Sequence, residues 1–225
     1  MSERLINLLL DSFLKLLIPG IKVTIPLTVA SFALSFVLGL ILAIVQVANI
    51  KVLKQFSKFY IWVFRGTPLL VQLFIIFFGL PSLGIMIDAI PAAILGFGLN
   101  LAAYNAEVFR SSILAIDKGQ WEAATVLGYS YSKTLFKIVL PQSFPIAFPS
   151  LFNNLISLLK DTSLASGITV VEMFTSAKQI ATRTYEPFAL YSEAAIIYLA
   201  FSTLLTWLQG YCEKKFAWVP TVEEK

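Results

Sequence analysis

Five stretches of this chain are apolar over about 20 residues or more, the length that a hydrocarbon core of roughly 30 Å demands of a crossing helix. They lie near residues 20–47, 58–80, 90–113, 146–169 and 188–212, bounded by charges or by Pro and Gly. Hydrophobic residues make up 58% of the chain and charged ones 13%, against about 45–50% and 25% in a soluble domain. The pattern predicts an all-α membrane protein of about five transmembrane helices, with residues 1–225 forming one transmembrane domain. Ahead of the first block, residues 1–19 place Asp11 and Lys15 among leucines. They read as an amphipathic segment at the membrane interface, or else as an extension of the first span.

Several chemistries are excluded by what the chain contains. It has one cysteine, Cys212, and no histidine, which removes an intrachain disulfide and the commonest metal ligand and general base. No metal site and no catalytic residues are expected. No nucleophile stands beside a base, and no Gly-x-x-x-x-Gly-Lys phosphate loop is present, so any ATP would bind to another protein. The net charge of +4 is spread over several connections; it does not describe a nucleic-acid surface. No cleaved signal peptide is read at the N-terminus, and the first membrane helix is expected to direct insertion.

Basic residues stay preferentially on the cytoplasmic side of a membrane protein. With five spans, ten Lys and Arg collect on one side, in the connections after the first and third spans and after the last, against five on the other. The expected orientation is N-terminus outside and C-terminus inside, with a cytoplasmic loop at residues 114–145 and a cytoplasmic tail at 213–225. Trp207, Tyr211, Phe216 and Trp218 read as an aromatic belt at the last boundary.

The 114–145 loop carries the most specific signal. Gly119 to Gly128 is good helix sequence around the small Ala123 and Ala124, which allow close approach by another surface. Gly128 ends or bends that helix, Ser130 and Ser132 are candidate N-caps, and a second short helix from Lys133 to Leu140 is expected to stop at Pro141. The spacing of Glu122-Ala123-Ala124, Gly128 and Ile138-Val-Leu140-Pro141 resembles the EAA loop of ABC-importer permeases. Three further stretches resemble the polar amino acid uptake branch of that family: Tyr60 to Gln72, Ala103 to Arg110, and Lys160-Asp-Thr-Ser-Leu164. The resemblance implies a type I ABC importer permease fold in a bacterial cell membrane, without catalytic activity or cofactor of its own. A partner ATPase would bind ATP and Mg. An extracellular or periplasmic binding protein would deliver the amino acid, and a second permease copy, most simply a homodimer, would enclose the path among membrane lipid. It further implies that Glu122, Ala123, Ala124, Gly128, Leu140 and Pro141 couple to the ATPase, Glu122 by polar contacts and Gly128 by giving clearance.

Arg65, Gly66 and Pro68 loosen the backbone inside the second block and read as a hinge or gate, or as a snorkelling arginine beside a structural kink. Polar residues recur at helical spacing in the next two spans: Asn100, Tyr104, Glu107 and Ser111 on one, and Asn153 or Asn154, Ser157, Lys160 and Asp161 on the other. Charges placed there must pair or line a watery cavity. A zwitterionic substrate needs both signs, so Glu107 and Asp161 are candidates for its ammonium and Lys160 for its carboxylate. Asn100, Asn154 and Ser157 would supply neutral hydrogen bonds. The alternative is structural, with Glu107 or Asp161 paired to Lys160 or Arg110. Glu172 to Pro187 reads as an external segment, suited to docking a binding protein or simply solvated. Ile180 to Tyr191 resembles the L-cystine permeases in its Thr-Arg-Thr followed by Glu, Phe and Tyr. The expected cargo is therefore L-cystine, with arginine, glutamine or another polar amino acid as alternatives. An ATP-independent secondary transporter or channel is the remaining rival.

Overall fold

Within hydrocarbon every backbone donor and acceptor must be satisfied inside its own segment, which leaves helices as the solution for a chain of this length. The computed structural model describes residues 3–48 and 50–216, and no strand occurs among them. Ten α-helices follow in order: α1 Glu3–Pro19, α2 Ile25–Val47, α3 Lys51–Gly66, α4 Leu69–Phe74, α5 Ala89–Leu114, α6 Lys118–Val126, α7 Tyr131–Thr134, α8 Leu140–Asp161, α9 Met173–Thr184 and α10 Pro187–Phe216. Four helical stretches are long and apolar enough to cross a membrane, and the pair α3 and α4, bent by 104° at a short break, makes five. The fold class read from hydropathy is the fold observed.

The centre of the bundle is the contact between α2 and α5, the most extensive helix pairing in the molecule. Small residues make it close. On α2, Ser31, Ser35, Gly39 and Ala43 recur every fourth residue and are all buried; on α5, Ala102, Ala103 and Ala106 are buried. A Cβ on Gly39 would lie 2.8 Å from Asn105 Cβ and 3.1 Å from the backbone of Ala102 and Ala106. Only glycine fits there. The main core, around Leu27, Leu73, Phe97, Leu158 and Ile168, gathers side chains from α2, α4, α5 and α8 and from the tight turn Thr162–Ile168 that follows α8.

Three features sharpen or depart from the sequence expectation. First, α1 continues into α2 through a π turn, Gly20–Thr24, giving 45 residues of unbroken helix, about 67 Å long and too long to lie whole in the core. Its inner face, Ser12 and Leu16, is buried against α9 and α10, so the segment packs on the bundle as a helical continuation of the first apolar stretch, one of the two readings the sequence allowed. Second, Pro141 does not stop a helix. Tyr131 to Ile168 is continuous, and Pro141 follows directly on a π turn at Leu135–Val139, whose i→i+5 bonding widens the ladder where a residue without an N–H must pass. Third, Glu172 to Pro187 is not an open loop: most of it is α9, with Met173, Ser176, Ala177 and Ala181 buried and Lys178 and Arg183 exposed. The expected tail beyond residue 216, with Trp218, lies outside the described residues.

Candidate coupling and substrate sites

The segment joining α5 to α8 is a capped and braced bracket. α6 begins where Asp117 Oδ1 accepts from the N–H of Gly119 at 2.7 Å. It ends in a Schellman motif: the Tyr129 N–H donates to Ala124 O and the Gly128 N–H to Thr125 O, both at 2.9 Å. Gly128 sits at φ 78°, with nothing within 4 Å of an added Cβ. The glycine is thus demanded within this chain by backbone conformation. Gly128→Ala should cost about 1 kcal/mol through strain in the left-handed region, read as a lowered melting temperature of the purified chain. Ser130 caps α7 by accepting from the Lys133 N–H at 3.4 Å, whereas Ser132 caps nothing.

Trp121 stacks on Tyr131 at 5.3 Å and Lys133 lies 3.9 Å from the centre of the Tyr129 ring. Beneath them, Trp121 and Leu140 pack on a core of Ile113, Leu135 and Val139 that ties α5 to the start of α8. Ala124 is buried in the bracket, while Glu122, Ala123 and Pro141 are exposed. Sequence reasoning overlooked Val126 and Leu127, which are 87% and 73% exposed. The signal was two branched aliphatics beside a helix terminator, in a helix too short to bury them.

At the break between α3 and α4 the helical ladder stops at Gly66, Thr67 is extended and Pro68 has ψ 135°. Orphaned carbonyls here would be costly in a membrane, and a polar knot satisfies them. Gln72 Nε2 donates to Phe64 O at 3.0 Å, Thr67 O at 3.1 Å and Thr67 Oγ1 at 2.7 Å. Asn100 Nδ2 donates to Phe64 O and to Gln72 Oε1, both at 3.1 Å, and Tyr60 donates to Leu99 O at 2.7 Å. Arg65 lies 5.3 Å from the centre of the exposed Tyr104 ring. Gln72→Leu should destabilise the chain by about 1–3 kcal/mol, because it takes an acceptor from the buried Asn100 amide and a donor from the broken helix end; thermal unfolding in detergent would measure it.

Of the two polar stripes, the structure engages some members within the chain and leaves others open. Asn100 belongs to the knot. Glu107 pairs with Arg110, Oε2 to Nη2 at 2.8 Å. Asn154 donates to Asn105 Oδ1 at 2.8 Å, and Asn105 donates to Ser35 Oγ at 3.0 Å, so one buried relay joins α8, α5 and α2. Asn105 was absent from the sequence stripe. Ser157, Lys160 and Asp161 are exposed at the end of α8. A cavity of about 510 Å³ there is lined by Lys160, Ser163, Phe174, Tyr191, Tyr198 and Ser202, among others.

That cavity is braced by Glu172, which caps α9. Its carboxylate accepts from the N–H groups of Phe174 at 2.7 Å and Thr175 at 2.6 Å and from the Tyr198 hydroxyl at 3.0 Å. Burial pushes this carboxyl above the usual glutamate range, and those donors pull it partly back. Among the described residues no group of His, Cys, Asp and Glu could hold a metal.

A multi-pass helical bundle with a broken second span, an internal polar relay and a braced bracket between the third and fourth spans is the architecture of a transporter's membrane subunit. The chain belongs to the family of binding-protein-dependent transport system inner membrane components, whose model matches residues 35–218. More particularly, it is an amino acid ABC-importer permease, a non-catalytic subunit of a system that also comprises an ATPase and a substrate-binding protein. It is 43% identical to the L-cystine transport system permease protein TcyB of Bacillus subtilis (strain 168) over 93% of this chain and 90% of that one. It is 36% identical to the arginine transport system permease protein ArtQ of the same organism, over 88% and 91%. Its structure superposes on the crystal structure of an amino acid ABC transporter with histidines, with a TM-score of 0.86 and 32% identity over 96% of this chain and all of that one.

Proposed function

We propose that this subunit imports L-cystine as one half of a homodimer, with the N-terminus outside, the C-terminus inside and residues 114–145 facing the ATPase. One observation carries the choice of cargo. Tyr191, the last residue of the cystine-permease-like stretch, and Lys160, chosen independently as a carboxylate partner, line the same cavity of about 510 Å³. Phe174 and Tyr191 pack 5.6 Å apart on its wall, an aromatic surface suited to a disulfide-linked substrate. Relatedness to the cystine permease TcyB points the same way.

In this reading Ser157, Lys160 and Asp161 form the open part of the pathway. Asn100, Asn154 and Glu107 hold its walls through the bonds they already make. Arg65, Gly66 and Pro68, at a 104° break, are the gate. Glu122, Ala123, Ala124, Gly128, Leu140 and Pro141 form the EAA bracket that passes the ATPase's movement to α5 and α8, with Val126 and Leu127 added as its apolar tips. An arginine importer is the second reading, favoured by relatedness to ArtQ.

The test is uptake of labelled cystine, arginine and glutamine into proteoliposomes holding this chain, its ATPase and its binding protein, with and without ATP on the ATPase side. ATP-dependent cystine uptake that Lys160→Gln reduces is the expected result. ATP-dependent uptake of arginine alone would replace the cargo, and flux without ATP would overturn the coupling.

A further inference from the structure

Glu172 is fully buried, so no cargo can reach its carboxylate, yet it is bonded to two aromatic residues that line the cavity of about 510 Å³. Its Oε2 accepts from the Phe174 N–H at 2.7 Å and from the Tyr198 hydroxyl at 3.0 Å, while Oε1 takes the N–H and the hydroxyl of Thr175. One oxygen thus ties the start of α9 to α10, and the side chain of Thr162, in the turn after α8, also hydrogen-bonds Tyr198. The preferred N-caps are Ser, Thr, Asp and Asn. A glutamate in their place adds the reach that brings an oxygen to α10 while still capping α9.

The cavity follows α10. Tyr191, Tyr198 and Ser202 line it from positions seven and four residues apart, which share one face of a helix and span about 16 Å at 1.5 Å per residue. Tyr198 stands inside that span. A tyrosine side chain has three staggered wells about χ1, and a hydroxyl bonded behind the wall selects among them. Phe174, whose N–H shares the same acceptor, packs 5.6 Å from Tyr191. We propose that Glu172 is the positioning residue of this pathway: without touching the cargo it holds Tyr198 and Phe174 to the wall and so keeps the cavity open along α10 for an extended amino acid. The inference rests on the reading of the cavity as the substrate site.

The test is equilibrium binding of labelled cystine to the permease–ATPase complex in detergent, with the binding protein left out so that its own affinity does not mask the cavity's. Tyr198→Phe keeps the ring and removes the tether; affinity should fall about five-fold, the factor that one hydrogen bond of typical net strength supplies. Glu172→Gln should cost at least as much, because an amide offers one acceptor oxygen where the carboxylate has two. Tyr198→Phe made in the Glu172→Gln chain should add little, since both substitutions cut the same tie. Thr206→Val, which removes a hydroxyl from an exposed position of α10 outside the cavity, should leave affinity unchanged. Full affinity in Tyr198→Phe, multiplied losses in the double variant, or an equal loss in Thr206→Val would overturn the positioning role. Lys160→Gln checks the cavity itself: if it weakens binding while Tyr198→Phe does not, the cavity stands and Glu172 is only a helix cap. Absence of cystine binding, or binding that Lys160→Gln leaves intact, would overturn the cavity reading and this inference with it.

Discussion

An importer carrying Leu127→Asp, or Val126→Asp, should lose ATP-driven uptake by at least about a hundred-fold. These side chains project from the end of α6 and are mostly free of their own chain. If they seat in a groove of the ATPase, an aspartate there becomes a buried charge without a partner, a cost of about 3–5 kcal/mol, or roughly two to three and a half orders of magnitude in association. The isolated permease should unfold at the same temperature as the parent. Co-purification with the ATPase, followed by uptake, would measure the effect; intact assembly would place the docking surface elsewhere on the bracket.

The second large effect concerns folding. Gly39→Leu should destabilise the bundle by about 3 kcal/mol or more, because even its Cβ meets Asn105 and the α5 backbone at 2.8–3.1 Å. Forcing α2 from α5 also parts Ser35 from Asn105, leaving polar groups unpaired where water is scarce. Ala33→Leu, on the exposed face of the same helix, should be nearly neutral. Size-exclusion profiles and thermal unfolding of the two variants in detergent would separate packing from added hydrophobicity.

Much of this fold was legible because lipid imposes a simple length rule. The five apolar blocks became four long apolar helical stretches and one pair bent by 104°, and Gly66 with Pro68 marked the break in that pair. Pro141 misled because a proline ordinarily ends a helix, yet the π turn before it widens the ladder where a residue without an N–H must pass. The polar stripes fared unevenly for a different reason. Helical spacing identifies a face; it does not say what meets that face. Ser157 and Asp161 were left open, whereas the amides of Asn100 and Asn154 were taken up by a broken helix end and by Asn105. Asn105 escaped notice because it lies on the flank of α5 that receives Ser35 and Gly39, a partner visible only once α2 is packed. Val126 and Leu127 were overlooked for want of an apolar run.

The π turn at Leu135–Val139 also gives the stretch below α8 a property of phase. Five residues on this wide turn wind about as far as four on an ordinary α turn, so its extra residue is absorbed; one more inserted residue would not be, and would swing everything beyond it by about 100°. The helix would survive and so would its hydropathy, but Asn154 would face away from Asn105, and the open polar end of α8 would turn with it. Chain length in those five residues acts as an angular setting between the bracket below and the polar end of α8 above, and a single insertion would mistime the two without removing a side chain from either.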